Sequence, residues 1–225
     1  MSEEIVFWAL PPSSNSGVIR TFLNAAGISY KEVNGWGETR TPEFIAKFPN
    51  NCCPGIEHGD VSVCETVAIM RYLCKVMPEK AGKFYPEDPI VASKIDMVTD
   101  FTNTSFAKIF PVAIYPAVGF PSSAGDVGAM ESTKEHTKEA SKAACDAMLE
   151  MLEAKYAAIF LKDTKFLMSD TPTIADYRFA PMLSMSKIGM KLPERVETYL
   201  SDMMVLEGYE EGMKAVDDFN KPHWK

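Results

Sequence analysis

Ser13-Ser14-Asn15-Ser16 follows Pro11-Pro12 and precedes Val18, Ile19, Phe22, Leu23 and Ala26, apolar residues at helical spacing. Hydroxyls and a short amide in that place cap a helix, and they sit at the positive end of its dipole, where they can also donate to an anion. A second such place is Glu65-Thr66, at the head of the apolar pattern Glu65–Val76. Free N–H groups at a helix start favour a carboxylate, the threonine hydroxyl adds a donor, and the glutamate can take an ammonium. Between the two lies Cys52-Cys53-Pro54, with adjacent thiols and a proline that pushes Cys53 toward an extended backbone. Each place also has a plain structural reading, as an N-cap, a helix start and a packed thiol pair. The five cysteines are an odd number, which is not a secreted disulfide framework, so a cytoplasmic, reducing compartment is expected. His58, His136 and His223 are far apart, and neither Cys-x-x-Cys nor His-x-x-x-His occurs, so no metal site is expected.

The elements that must position these residues can be read from pattern. Glu4–Leu10 is a short β-branched and aromatic run ended by prolines, a buried strand. The helix after Ser16 stops at Gly27, and Ile28–Val33 is a second strand. Thr41-Pro42 opens a short helix to about Lys47. Gly55–His58 and Val61–Cys64 form a hairpin around Gly59-Asp60, and Glu65–Val76 is a helix with a broad apolar face. The order is β-α-β, α, β-β-α. A proline-punctuated linker, residues 78–88, follows, and everything beyond is helical: Val91–Phe110, Glu131–Ile159, and shorter segments after Thr173 and Pro193, with a loop over Pro116–Gly128. The fold class is therefore α/β plus all-α, with domains at 1–77 and 89–225. The chain has 225 residues, 46% hydrophobic, with 23 basic against 31 acidic residues and a net charge of −8. That composition can fill a packed core and excludes a disordered chain. The acidic balance argues against nucleic acid as a partner. No membrane span is expected, because the longest apolar run, Phe106–Phe120, contains Lys108 and is broken by Pro111 and Pro116. The acidic start Met1-Ser2-Glu3-Glu4 is unlike a leader peptide.

Three pieces carry a family resemblance: Leu10-Pro11-Pro12-Ser13-Ser14-Asn15-Ser16, Phe44–Leu73 (FIAKFPNNCCPGIEHGDVSVCETVAIMRYL), and Thr171-Pro172-Thr173-Ile174-Ala175-Asp176-Tyr177. Together they resemble the cytosolic glutathione transferases of serine type (theta-, delta-, phi- or zeta-like). In these a Pro-Gly hairpin leads to Glu-Ser-x-Ala-Ile, and a Ser/Thr-x-x-Asp box opens a helix of the second domain. The resemblance implies a thioredoxin-like N-terminal domain that binds glutathione as co-substrate, a helical-bundle domain behind it, and a homodimer. Pro54 would be cis and the Cys53 backbone would pair with the cysteinyl unit. Glu65 and Thr66 would hold the γ-glutamyl end. Arg40, Thr41 and Asn51 are candidates for the glycyl carboxylate.

Ser13 matches the family serine and would donate to the glutathione sulfur. Lowering a thiol pKa of about 8.5 by about two units takes roughly 2.7 kcal/mol of thiolate stabilisation. The tyrosine used by other members has no counterpart, since its place holds Ala9, and the cysteine of disulfide-reducing relatives is replaced by serines and Asn15. Phe48-Pro49 stands for the family's Asn-Pro and Cys53 for its usual valine, while Arg20 keeps the zeta-like arginine spacing. The implied activity adds glutathione thiolate to small hydrophobic electrophiles lined by Phe106, Phe110, Ile114 and Tyr115, with Trp224 folding over. Asp96 or Asp100 would reach the γ-glutamyl amine in a partner subunit. Isomerase or peroxidase chemistry on the same site, or a non-catalytic interaction or structural role, are the alternatives.

Overall fold

In β1 (Ile5–Ala9), Ile5, Phe7 and Ala9 are buried while Val6 and Trp8 are half-buried, the alternation of a strand with one face on a core. The computed structural model describes residues 4–118 and 138–223. β1 lies parallel to β2 (Tyr30–Asn34) and antiparallel to β3 (Gly55–His58), which pairs antiparallel with β4 (Val61–Cys64), giving the order β2-β1-β3-β4. Trp8 stands opposite Val33 on one side and Gly55 on the other, so the end of β1 meets the start of β3.

A parallel pair needs a crossover, and α1 (Ser14–Ala25) supplies it. Gly27, at φ +60°, takes the left-handed turn that ends this helix. Thr41 caps α2 (Pro42–Lys47), accepting the Phe44 N–H at 3.3 Å. α3 (Thr66–Val76) follows the hairpin.

The stretch expected as a linker is partly helical and partly core. It contains α4 (Pro78–Ala81) and a 3-10 turn, Gly82–Phe84. Pro78 sits at the first helical position, where its missing N–H costs nothing, so the proline opens a helix here instead of breaking one. The Phe84 ring meets Phe22 and Tyr177 edge-on at 5.4 and 5.3 Å.

The second half is helical. Asp88 caps α5 (Pro89–Phe101) by accepting the Ile90 and Val91 N–H groups, both at 2.9 Å. α5 runs through a π-helical stretch, Thr102–Phe106, into α6 (Ala107–Ile114). α7 (Lys138–Met151) runs into a second π-helical stretch, Leu152–Phe160. The two stretches touch: the Thr102 and Tyr156 hydroxyls share a hydrogen bond of 2.9 Å. The Tyr156 ring also stacks on Phe179 at 3.9 Å.

α8 (Ile174–Ser186) and α9 (Glu194–Met204) start after Thr173 and Pro193, as the sequence predicts. α10 (Tyr209–Asn220) falls in the region expected to be helical, though no separate helix is read there from sequence. The beginning of the expected helix at Glu131, most of the expected loop Pro116–Gly128, and Trp224 lie outside the described residues.

α1 joins the halves, packing on α3 on one side and on α8 and α10 on the other. Gly212 of α10 makes this approach possible, because a Cβ there would stand 2.7 Å from the Thr21 backbone. Among the described residues no helix is long and apolar enough to cross a membrane, and no group of three or more His, Cys, Asp or Glu is placed to hold a metal ion.

Candidate functional site

Five separate stretches of the chain converge on one cleft. Its volume is about 240 Å³, and it is lined by Asn15, Asn50, Cys52, Cys53, Pro54, Glu65, Thr66, Asn103 and Arg178. The first wall is the N-terminus of α1. Ser13 is its N-cap residue, with extended backbone and no capping hydrogen bond from its side chain. The loop before it is closed by other groups: the Ser13 N–H donates to the Leu10 carbonyl at 3.0 Å, and Ser16 Oγ accepts the Leu10 N–H at 3.0 Å. Ser14 and Ser16 are buried, Ser13 only half so. Of these hydroxyls only that of Ser16 is spent on the local fold, which leaves the half-buried Ser13 and the buried Ser14, although it is Asn15 that lines the cleft.

The floor is the Cys53–Pro54 segment, whose peptide bond is cis. Cys53 is buried with Phe44 and Phe48. Burial pushes its thiol up to about 12, with Cys52 adding to the shift, and Cys52 is itself raised by burial and by Glu65. Both thiols are therefore protonated at neutral pH.

The far end is the start of α3. This helix has no side-chain cap, so its first N–H groups are free for a ligand, with buried Thr66 among them. Glu65, the N-cap residue, has φ +70°, which turns it out of the helix, and its Oε1 accepts from Asn50 Nδ2 at 3.0 Å. A carboxylate donor set and an acceptor for an ammonium stand side by side, which is what an α-amino acid end group requires.

The opposite wall comes from the helical half. Asp176 fixes the first turn of α8. It accepts the Thr173 N–H at 2.7 Å and hydroxyl at 3.0 Å, and the Leu167 N–H at 2.9 Å. Burial pushes its carboxyl up to about 6 against the pull of these donors. Two residues on, Arg178 reaches the cleft, where its Nε donates to Asn103 Oδ1 at 2.8 Å and its Nη1 to Asn15 Oδ1 at 3.2 Å. Asn103 is carried by the π-helical stretch, a departure from α geometry of the kind that recurs at functional sites.

The sequence-expected residues divide into three groups. Cys53, Pro54, Glu65 and Thr66 come together in the cleft. Arg40 is exposed on a 3-10 turn and Asn51 sits beside the cleft with φ +53° and a buried Oδ1 lacking a partner; neither is among the lining residues. Phe106, Phe110 and Ile114 are fully buried core residues, so the wall expected to be aromatic is amide and guanidinium instead. Their spacing on a helix face fits core and pocket equally, and the core claims them. Tyr115 packs edge-on against Phe110 at 5.7 Å. Its phenol is pushed up by burial and pulled back by Arg178, with Cys52 adding a smaller rise. Asp96 is engaged by Arg71 and by the Tyr85 hydroxyl at 3.0 Å, while Asp100 is exposed. Arg20 is held by Glu32 through Nε and Nη2, at 2.8 and 2.7 Å.

Asn50, Asn103 and Arg178 were missed by sequence reasoning. Arg178 lies two residues past the Thr173–Asp176 box, which was the available signal; a lone asparagine mid-helix gave none.

Known proteins share this fold. Residues 3–75 match the N-terminal domain of glutathione S-transferases and residues 104–193 the C-terminal domain. Glutathione S-transferase F10 of Arabidopsis thaliana is 27% identical over 184 residues, covering 78% of this chain and 77% of its own. Glutathione S-transferase theta-3 of Mus musculus is 24% identical over 192 residues, covering 80% and 76%. The crystal structure of the theta-class enzyme of Xanthomonas axonopodis pv. citri, with glutathione bound, superposes with a TM-score of 0.78 at 22% identity over 94% of this chain and 97% of that one. Poplar glutathione transferase F7 superposes with a TM-score of 0.77 at 17% identity over 94% and 99%. With both domains of the family matched in order over more than half of its length, the chain belongs to the glutathione S-transferases.

Proposed function

We propose that this protein is a serine-type glutathione transferase that binds glutathione along the cleft and adds its thiolate to a small electrophile entering between the two halves. The observation that carries the reading is the meeting, in one cleft, of the uncapped start of α3, Glu65, the Cys53–Pro54 segment and the N-terminus of α1. The γ-glutamyl carboxylate takes Thr66 and the free N–H groups, and its ammonium takes Glu65. The cysteinyl unit lies along Cys53, the glycyl end runs toward Asn51 and Arg40, and the sulfur comes to the N-cap of α1. Ser13 donates its hydroxyl to the thiolate there, where the helix dipole also favours negative charge. Ser13 is a donor in this scheme and never a nucleophile. The names of the relatives, all glutathione S-transferases, support the same activity.

A cytoplasmic homodimer accompanies this reading. None of the five cysteines forms a disulfide, and α5 exposes Ile90 and Met97 on the segment that carries Asp100. Light scattering tests the dimer.

The deciding experiment for the activity is the ultraviolet thiolate absorbance of bound glutathione against pH. Ser13→Ala should bind glutathione nearly as wild type while its thiol pKa rises toward the free value of about 8.5. Turnover near neutral pH should fall roughly 10- to 1,000-fold and recover in part at higher pH. Ser14→Ala should do much less. If wild type lowers the thiol pKa not at all, the transferase reading gives way to a non-catalytic one.

A further inference from the structure

Arg178 is a buried cation with no carboxylate in ion-pair contact, although Glu65, which lines the same cleft, acts on its charge. It is 6% exposed, and the three groups that its side chain contacts, Asn103 Oδ1, Asn15 Oδ1 and Met182 Sδ, are all neutral. Among the described residues no carboxylate forms an ion pair with it, and Nη2 has no acceptor. Two other arginines resolve their charge within the fold: Arg20 pairs with Glu32 and Arg71 with Asp96. A third, Arg195, donates to the carbonyls of Leu161 and Thr164. Burial lowers the Arg178 guanidinium to about 10, which leaves it charged at neutral pH. A buried charge whose hydrogen-bond partners are all neutral is costly, and the more distant pull of Glu65, Tyr156 and Tyr115 offsets that cost less than a carboxylate in direct contact would, a contact that a ligand can supply. The two asparagines take Nε and Nη1 and fix the guanidinium plane, so Nη2 is the donor left for the cleft.

Glutathione's own carboxylates are placed elsewhere in the reading above, one at the start of α3 and one toward Asn51 and Arg40. The Arg178 wall touches Asn15, two residues past Ser13, and so faces the sulfur and whatever the sulfur attacks. We propose that this wall is a carboxylate subsite for the electrophile, with Arg178 Nη2 as the specificity-determining donor. The proposal rests on the transferase reading and narrows it to anionic electrophiles. It replaces the hydrophobic electrophile pocket expected from Phe106 and Phe110.

A matched pair of probes tests it: para-chloro-meta-nitrobenzoate and the corresponding neutral benzamide. In both, the thiolate sulfur forms a bond to the chlorine-bearing carbon, the C–Cl bond breaks, and chloride leaves with the bonding pair. The thiol proton goes to solvent. With each kcat/KM divided by the uncatalysed rate, wild type should favour the benzoate by about tenfold or more, the value of a hydrogen bond between charged groups. Arg178→Gln should abolish that preference, the ratio of the two probes' rates being the readout, and Arg178→Lys should keep part of it. Equal losses on both probes with a raised thiol pKa would mean that Arg178 serves the thiolate, and a weakened affinity for glutathione alone would mean that it serves the peptide. Either result overturns the subsite.

A binding readout separates this inference from the activity. The purified glutathione conjugates of the two probes are compared by calorimetry, with circular dichroism and S-methylglutathione binding reporting the fold. A carboxylate preference in wild type that is lost in Arg178→Gln upholds the subsite even where no turnover occurs, and the transferase reading then falls alone. Equal affinity for the two conjugates removes the subsite even where the benzamide is turned over. Should Arg178→Gln not fold, wild type and Arg178→Lys decide: the preference must be present in the first and reduced in the second.

Discussion

Glu65 pairs two properties that conflict in an ordinary residue, a positive φ and an exposed carboxylate at the mouth of a cleft. Conformations of that kind cost energy and persist where the surroundings impose them. Here Asn50 holds the side chain and α3 begins directly behind it. Glu65→Ala should therefore weaken glutathione binding by about 1–2 kcal/mol, roughly five- to thirtyfold in Kd, at the modest end because the ion pair is exposed to water. kcat at saturating glutathione should change little, and calorimetry together with steady-state kinetics checks both. Cys53 gives the opposite expectation. Its buried thiol, raised to about 12, should resist iodoacetamide at pH 8 more than a hundredfold better than a free cysteine, as read by mass spectrometry of timed digests. Rapid labelling of Cys53 would show that its thiol is neither buried nor raised. At this scale the sequence was most informative where chemistry is local. Cys53-Pro54 and Glu65-Thr66 carry their meaning in neighbouring residues, and the structure gathers them. Arg178 does not: its partners lie 75 and 163 positions away, and no local pattern announces such a meeting.

Among the elements, α8 is the one whose placement decides the helical wall. Asp176 accepts from two backbone N–H groups and a hydroxyl, and so locks the first turn that carries Arg178. Asp176→Asn would set an amide NH2 against a donor inside a fully buried cap. The cost should be about 2–4 kcal/mol by urea unfolding, against about 1 kcal/mol for Thr173→Ala, which removes one hydroxyl that accepts the Ala175 N–H and donates to Asp176 but leaves both backbone N–H bonds to Asp176 in place. Equal effects of the two changes would mean that the reciprocal cap is not the anchor. This box was legible, because a capping box is a spacing. α10 was not noticed although Tyr209, Met213 and Val216 follow the helical period, since two glycines, Gly208 and Gly212, interrupt the stretch. The π-helical stretches leave no trace in an apolar pattern that tolerates either register. The same tolerance explains why Phe106 and Phe110 could be placed in a pocket from sequence and in the core by the fold.

Across the whole molecule, the two halves are joined through α1, and the closeness of α10 to α1 depends on Gly212. Gly212→Ala would drive a methyl into the Thr21 backbone and should cost about 1–3 kcal/mol, because neither helix can yield without losing its other contacts. Chemical denaturation measures the cost, and an unchanged midpoint would show that the joint is loose. The order of elements, the sheet and the division into an α/β and a helical half were readable because each follows from short-range periodicity. How the halves meet was not, because it is set by the absence of a side chain. The π-helical stretch at Thr102–Phe106 bears on inheritance as much as on geometry. An α-helix turns about 100° per residue, so losing one codon in that stretch would swing the helix beyond it by that angle and carry Asn103 or its neighbours to a different face. A gene can thus exchange the residues on the helical wall of the cleft through one in-frame deletion, leaving the walls built by the first half of the chain untouched.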